Sequence, residues 1–329
     1  MTQTDTSKTQ KATEQDKGVP MLTAEEGYAY FEGRIVPMGE AKVSIATHAL
    51  HYGTACFEGI RAYWNADQKQ LYILKLREHY LRMADSWNVL RIRPKESIDD
   101  LCRITTELVR KHGFQSDVYI RPLAYKSSAT IRVTLSELED ALAIYAFPMG
   151  NYVDINAGLS VCTSSWRRAG SNAMPVRAKV TGAYVNSALA VDDAKASGFD
   201  EAIMLTHDGN VSEGSSCNVF LFRNGKVATP AVSDDILEGV TRNALIEMIR
   251  NEFGMAVEER RIDRTELYAA NEIFLCGTGV QVSPVTSVDR RPVGAGIPGP
   301  FTTKLQALYL AACRGENNKY RDWLTPVYE

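Results

Sequence analysis

The chain contains no apolar run approaching the ~18 residues of a membrane span. Its first twenty residues mix Thr, Gln, Lys, Asp and Glu and lack the apolar stretch that opens a secretory leader. These absences suggest a disordered tail, residues 1–20, on a soluble, cytoplasmic protein. Neither sign of charge dominates: 37 Lys and Arg stand against 40 Asp and Glu, a formal net charge of −3. Electrostatics therefore gives no reason to expect nucleic acid or an acidic membrane as partner, and a small molecule is expected instead. Cysteine is sparse and scattered, with Cys56, Cys102, Cys162, Cys217, Cys276 and Cys313 forming no CxxC pair, a pattern that fits reduced thiols. His48 and His51 lack a HExxH frame or an evident third ligand, so no metal is expected and both are read as packing and hydrogen-bonding groups. Internal repeats and regular βαβ periodicity are also missing, which argues for two α+β domains over a doubly wound sheet.

With 329 residues, 45% of them apolar and 23% charged, the chain can bury a sizeable core and exceeds the roughly 100–200 residues of one domain. Residues 28–36 read as a hairpin around Glu32-Gly33. Strands are expected at 61–64 and 71–75, helices at 77–90 and 97–112, and strands at 118–125 and 141–147. In the second helix Ile98, Leu101, Ile104 and Leu108 share a face between the N-cap Ser97 and the stop Gly113. Residues 148–158 read as a linker separating an N-terminal domain, 21–147, from a C-terminal one, 159–329. The latter opens with strands at 159–165 and 201–205, then a hairpin of 218–222 and 226–229 around Asn224-Gly225. A helix at 240–253 and a capping box from Asp263 to Glu266 follow. Strands at 272–276 and 280–282 flank Gly277-Thr278-Gly279, and a helix at 301–313 closes the domain.

Lys179 lies in Met174-Pro175-Val176-Arg177-Ala178-Lys179-Val180-Thr181-Gly182-Ala183-Tyr184, among small and apolar neighbours just before a helical run, 184–197, that Gly198 can end. Burial disfavours an ammonium and frees the lone pair that attacks a carbonyl; the plain alternative is a lysine flanking a helix. Four other features suit an activated amine. Glu213, in a small-residue segment between strands, can hold a pyridinium nitrogen protonated. Leu237-Glu238-Gly239-Val240-Thr241-Arg242 opens a helix whose free N–H groups suit a phosphate. The Gly277-Thr278-Gly279 turn offers more N–H groups, and Arg82 stands one turn after Glu78. Singly, each also reads as an ordinary turn, helix start or surface ion pair.

Taken in order, His48-Ala49-Leu50-His51-Tyr52-Gly53-Thr54, Phe57-Glu58-Gly59-Ile60-Arg61, Tyr119-Ile120-Arg121-Pro122, Ser164-Ser165-Trp166, Ser212-Glu213-Gly214, Gly239-Val240-Thr241-Arg242 and Gly277-Thr278 carry a family resemblance. From about residue 28 to 323 the chain resembles the branched-chain amino acid aminotransferases of the class IV, fold type IV pyridoxal-phosphate group. That resemblance implies a D-amino acid aminotransferase-like fold, with a smaller N-terminal α/β domain and a larger C-terminal domain built on a β-barrel-like core. It implies pyridoxal 5'-phosphate as cofactor, branched-chain L-amino acids and 2-oxoglutarate as substrates, and a homodimer or higher oligomer. Lys179 would bind the cofactor covalently and shuttle the substrate's Cα proton, Glu213 would pair with the ring nitrogen, and Tyr184 would hydrogen-bond the phenolic oxygen. Arg82, Val240, Thr241 and Thr278 would hold the phosphate, Leu237 would pack on the ring, and Gly239 would also contact the cofactor. Tyr119, with backbone N–H groups near Thr278 and Gly279, would receive the α-carboxylate, and Arg121 the side-chain carboxylate of glutamate. Phe57, Tyr152 and, from a second subunit, Tyr52 and Val133 would line the apolar part of the pocket. The chain departs from the family at Met149, where bacterial relatives often carry tryptophan, at Arg132 in a loop that lacks the family's glycine-rich segment, and at Gly279, where alanine is common. A D-amino acid or (R)-amine transaminase on the same fold, and a non-catalytic vitamin B6-binding protein, are the alternative readings.

Overall fold

A computed structural model describes residues 26–150 and 157–328. The tail at 1–20, most of the 148–158 segment and Tyr152 lie outside the described residues.

The first half builds a mainly antiparallel sheet. The opening hairpin, Tyr28–Phe31 with Arg34–Pro37, turns at Glu32 and Gly33, both at positive φ (49° and 81°), as a two-residue hairpin requires. Across the sheet the order runs Leu324–Pro326, Gln70–Leu74, Ile60–Asn65, Val118–Lys126, Asp140–Pro148, then the hairpin, with Ala55–Phe57 also paired to Val118–Lys126. Three short elements escape the sequence pattern. One is helix α1 (His48–Tyr52), another the strand Ala55–Phe57, and the third the strand Leu324–Pro326, which brings the end of the chain back beside Gln70–Leu74. Within and beside α1, His48 Nε2 donates to the Arg132 carbonyl at 2.6 Å while Nδ1 meets Thr54 Oγ1 at 2.8 Å, and His51 Nε2 donates to the Ile45 carbonyl. Helices α2 (Leu76–Val89) and α3 (Ile98–His112) cover one face of the sheet. Helix α3 has the expected start and stop, a Ser97/Asp100 capping box and Gly113 in the left-handed region.

The second half forms a nine-stranded mixed sheet ordered Val211–Gly214, Glu201–Leu205, Leu159–Arg167, Gln281–Val288, Glu272–Gly277, Asn218–Arg223, Lys226–Thr229, Val257–Glu259, with Arg291–Pro292 off Gln281–Val288. Leu159–Arg167 runs parallel to both of its neighbours. Helix α4 (Tyr184–Ala196) packs on Leu159–Arg167 and Glu201–Leu205. Helices α5 (Val240–Phe253) and α6 (Pro300–Cys313) share a core with Phe220, Phe274 and Val282.

Two features lock the halves together. Tyr63 and Leu74 of the first sheet are buried in the core of α5 and α6. The lysine segment is strapped onto the strand Ala55–Phe57: Phe57 N donates to the Lys179 carbonyl at 3.1 Å, and Thr181 Oγ1 donates to the carbonyls of Gly53 and Ala55. The backbones meet so closely that a Cβ on Gly53, itself at φ +62°, would lie 2.7 Å from the Gly182 Cα. Residue 179 is thereby fixed where the two sheets face each other.

Candidate active site

A cavity of about 440 Å³ opens between the sheets and is lined from both halves of the chain. It brings together Lys179, Tyr184, Glu213, Arg82, Leu237, Gly239, Val240, Thr241, Thr278, Gly279, Phe57, Tyr119 and Arg121. Tyr52 and Val133 do not line it: Tyr52 packs on His48 and Val133 is 91% exposed.

Lys179 is partly buried, with Nζ 2.6 Å from Tyr184 Oη and 4.9 Å from the centre of the Phe57 ring. Its backbone N–H donates to Ser86 Oγ, so α2 as well as Ala55–Phe57 anchors the residue. Glu213 lies on the strand Val211–Gly214 at the floor and is 3% exposed. Burial pushes its carboxyl pKa up, opposed by the Arg168 guanidinium, the Leu237 N–H and the charges of Lys179 and Arg82. Its Oε1 meets Arg168 Nη2 at 2.8 Å, while Oε2 accepts from Asn218 Nδ2 and Leu237 N. A carboxylate held by fixed donors can present negative charge to a cationic ring nitrogen. Sequence reasoning missed Arg168 and Asn218, although Asn218 ends the segment that contains Glu213.

At the other end of the floor, α5 begins at Gly239 with no side chain capping its first turn, so its leading N–H groups are open to an anion. Glycine is required at that cap, since a Cβ on residue 239 would lie 2.1 Å from Asn218 Oδ1. Thr278 Oγ1 donates to the Gly59 carbonyl at 2.9 Å, fixing the Gly277–Gly279 turn against the first sheet. Arg82 reaches the same place and corrects an expectation. Its acidic partner is not Glu78, which pairs with Lys75, but Glu58, which takes both Nε and Nη2 at 2.8 and 2.7 Å. A guanidinium, an uncapped helix start and a buried carboxylate across one cavity form a donor set that fits a phosphorylated pyridine.

The opposite wall is apolar with one cation at its edge. Arg121 lies 4.3 Å from the centre of the Phe57 ring and donates from Nη2 to Tyr119 Oη at 2.8 Å, and its buried Nε has no partner among the described residues. Gly59 makes room for that tyrosine, because a Cβ there would lie 2.3 Å from Tyr119 Oη. Arg61 is committed elsewhere, donating to the carbonyls of Met149, Gly150 and Gly279, and Arg132 is exposed near Glu137.

The family model described as amino-transferase class IV matches residues 55–288. A probable branched-chain-amino-acid aminotransferase from Aquifex aeolicus is 49% identical over 302 residues, 92% of this chain and 97% of that protein. Among solved structures, the branched-chain aminotransferase of the archaeon Thermoproteus uzoniensis with norvaline superposes with a TM-score of 0.88 at 41% identity, covering 92% of this chain and 99% of that one. The T.th. branched-chain amino acid aminotransferase complexed with N-(5'-phosphopyridoxyl)-L-glutamate also gives 0.88, at 40% identity over 93% of this chain and 100% of that one. These likenesses bear out the fold class that the sequence resemblance implies.

Proposed function

This chain belongs to the class IV amino-transferase family, and from that premise we infer that it is a pyridoxal-phosphate-dependent transaminase exchanging the amino group between L-leucine, L-isoleucine or L-valine and 2-oxoglutarate. The products are the branched-chain 2-oxo acids and L-glutamate. The observation that carries this reading is a single cavity in which Lys179 Nζ sits on Tyr184 Oη, between a buried Glu213 and an apolar wall edged by Arg121. Relatives named for the same activity support it, one of them solved with norvaline and another with a phosphopyridoxyl-glutamate.

The bound cofactor supplies an electron sink for the charge left when the substrate Cα loses its proton. Lys179 Nζ takes that proton and returns it, and the 2.6 Å contact with Tyr184 holds the amine in place. Glu213, fixed by Arg168 and Asn218, offers its charge to the ring nitrogen. Arg82, the first turn of α5 and Thr278 hold the phosphate. Tyr119 and the Thr278–Gly279 N–H groups receive the α-carboxylate, and Phe57 lies against the aliphatic side chain. Arg121 receives the second carboxylate of glutamate. Glu213→Gln is expected to slow Cα proton removal by about 10²-fold, the scale of one preorganised electrostatic group. A single-turnover rate with L-leucine close to wild type would remove that role. The activity itself is tested by offering L-leucine, D-alanine and (R)-1-phenylethylamine with 2-oxoglutarate; preference for either of the last two would favour the sibling transaminases.

The working unit in this reading is a homodimer whose second copy supplies Tyr52 and Val133 to the pocket. Support comes from Ile45, Leu50, Ile131 and Val133, large apolar side chains exposed on two segments that the Thr47–Ala129 bridge joins. Sedimentation should give a dimer or a multiple of it, and a fully active monomer would refute the assignment. We place the enzyme in the cytoplasm: all six cysteines are unpaired, as in a reducing compartment, and no helix among the described residues is long and apolar enough to cross a membrane.

A further inference from the structure

We propose that Glu58 is a positioning residue for the cofactor's phosphate, acting through Arg82 by holding its guanidinium in one orientation at the head of α5. This inference rests on the transaminase reading above.

Glu58 has 0% exposure and sits between the strands Ala55–Phe57 and Ile60–Asn65, where its N–H donates to the Pro122 carbonyl at 3.0 Å. Both carboxylate oxygens are engaged by one face of α2. Oε1 accepts from Arg82 Nε at 2.8 Å, and Oε2 accepts from Arg82 Nη2 at 2.7 Å and from His79 Nδ1 at 2.8 Å. The pairing of two N–H groups with two oxygens fixes the plane of the guanidinium as well as its position. Of the three N–H groups that remain, one on Nη1 donates to the Glu238 carbonyl at 3.0 Å. Glu238 immediately precedes the cap of α5, so Arg82 joins α2 of the first half to the anion-facing turn of the second.

The electrostatics agree with this geometry. Burial alone would raise the pKa of Glu58, yet Arg82 and His79 hold its carboxyl well below the usual carboxylate range. Burial lowers the pKa of His79, so its Nδ1–H serves as a neutral donor to the carboxylate. The ion pair is therefore intact at any pH at which a transaminase works.

Two effects of Glu58 oppose each other. Its charge cancels that of Arg82 and weakens the pull on a phosphate, whereas its two hydrogen bonds hold the guanidinium, which lines the cavity, in one orientation. Orientation should win. A partly buried guanidinium robbed of its carboxylate turns to other acceptors or admits water, and a misdirected donor is worth little to an anion. Had Glu58 acted by charge alone, its removal would tighten phosphate binding, so the two accounts predict opposite signs.

The test titrates the full-length chain, stripped of cofactor, with pyridoxal phosphate and with pyridoxal, which lacks the phosphate, following cofactor absorbance. Wild type should prefer pyridoxal phosphate. Glu58→Gln should weaken pyridoxal phosphate binding by about 10- to 100-fold, the span of one hydrogen bond to a charged group, and leave pyridoxal binding unchanged, which also reports an intact fold. Arg82→Gln should do the same. The double variant Glu58→Gln/Arg82→Gln, which replaces the ion pair by a neutral pair and decides the matter should Glu58→Gln alone not fold, should lose no more than Arg82→Gln. A phosphate preference that is unchanged or raised in Glu58→Gln would overturn the proposal alone, as would losses in the double variant that exceed those of Arg82→Gln. A wild-type chain indifferent to the phosphate would overturn the reading of Arg82 as its ligand and the proposal with it.

Discussion

Lys179→Ala should leave a folded protein that still binds pyridoxal phosphate but forms glutamate from L-leucine and 2-oxoglutarate at least about 10⁴-fold more slowly, the upper end of what one positioned acid–base group supplies. Among the described residues, Lys179 is the one lysine lining the cavity. Removing its side chain takes away both the covalent anchor and the group that moves the Cα proton. The fold should tolerate the change because the segment is held by backbone contacts, with Lys179 N on Ser86 Oγ and the Lys179 carbonyl on Phe57 N. Cofactor retention should persist because Arg82 and the head of α5 are untouched. Coupled glutamate production measures the first outcome and the absorbance of the dialysed protein the second. Borohydride reduction of the wild-type protein, followed by peptide mapping, should place the cofactor on the peptide that contains Lys179; a label on any other lysine would refute the assignment.

Arg121→Leu should separate the two substrates. Leucine offers this wall only apolar surface, whereas glutamate must bring a second carboxylate into a pocket lined by Phe57, Phe147 and Met149. The unpartnered Nε shows that Arg121 has donor capacity to spare, and its single hydrogen bond among the described residues, to Tyr119 Oη, leaves Nη1 open to an incoming anion. Removing one partner of a buried charge pair costs roughly 3–5 kcal/mol, and 1.4 kcal/mol is about tenfold. The glutamate half-reaction should therefore fall by about two to three orders of magnitude, with water entry accounting for the lower value, while the leucine half-reaction changes far less. Each half-reaction is followed separately by cofactor absorbance. Equal losses with both substrates would make Arg121 a prop for Tyr119 instead. Two other arginines, Arg61 and Arg132, offer no substitute: the first is bound to three backbone carbonyls and the second stands out in solvent.

The sequence by itself determined those features whose cause is local. The opening hairpin followed from Glu32-Gly33, since two residues at positive φ suit the twist of the strands they join. Helix α3 followed from a 3.6-residue apolar period between Ser97 and Gly113, because capping and periodicity act within one turn of the chain. The order of short motifs around Lys179 also carried the family resemblance, and through it the cofactor and the reaction class, although the contacts that those motifs serve, such as Gly239 against Asn218 and Gly59 against Tyr119, are made only in the tertiary structure. Only the tertiary structure decided who partners whom among the buried charges. Arg82 had Glu78 one turn away in sequence, yet its partner is Glu58, 24 residues distant, brought beneath α2 by the pairing of Ala55–Phe57 with Val118–Lys126. Arg168, one residue past the strand Leu159–Arg167, likewise reaches Glu213 across Glu201–Leu205, which lies between that strand and Val211–Gly214 in one sheet. A charge in a sequence has many possible counter-ions, and the long-range packing of two sheets selects among them. The same reason explains the return of Leu324–Pro326 to the first sheet, since a three-residue strand owes its existence to the edge it joins and leaves no period of its own to read.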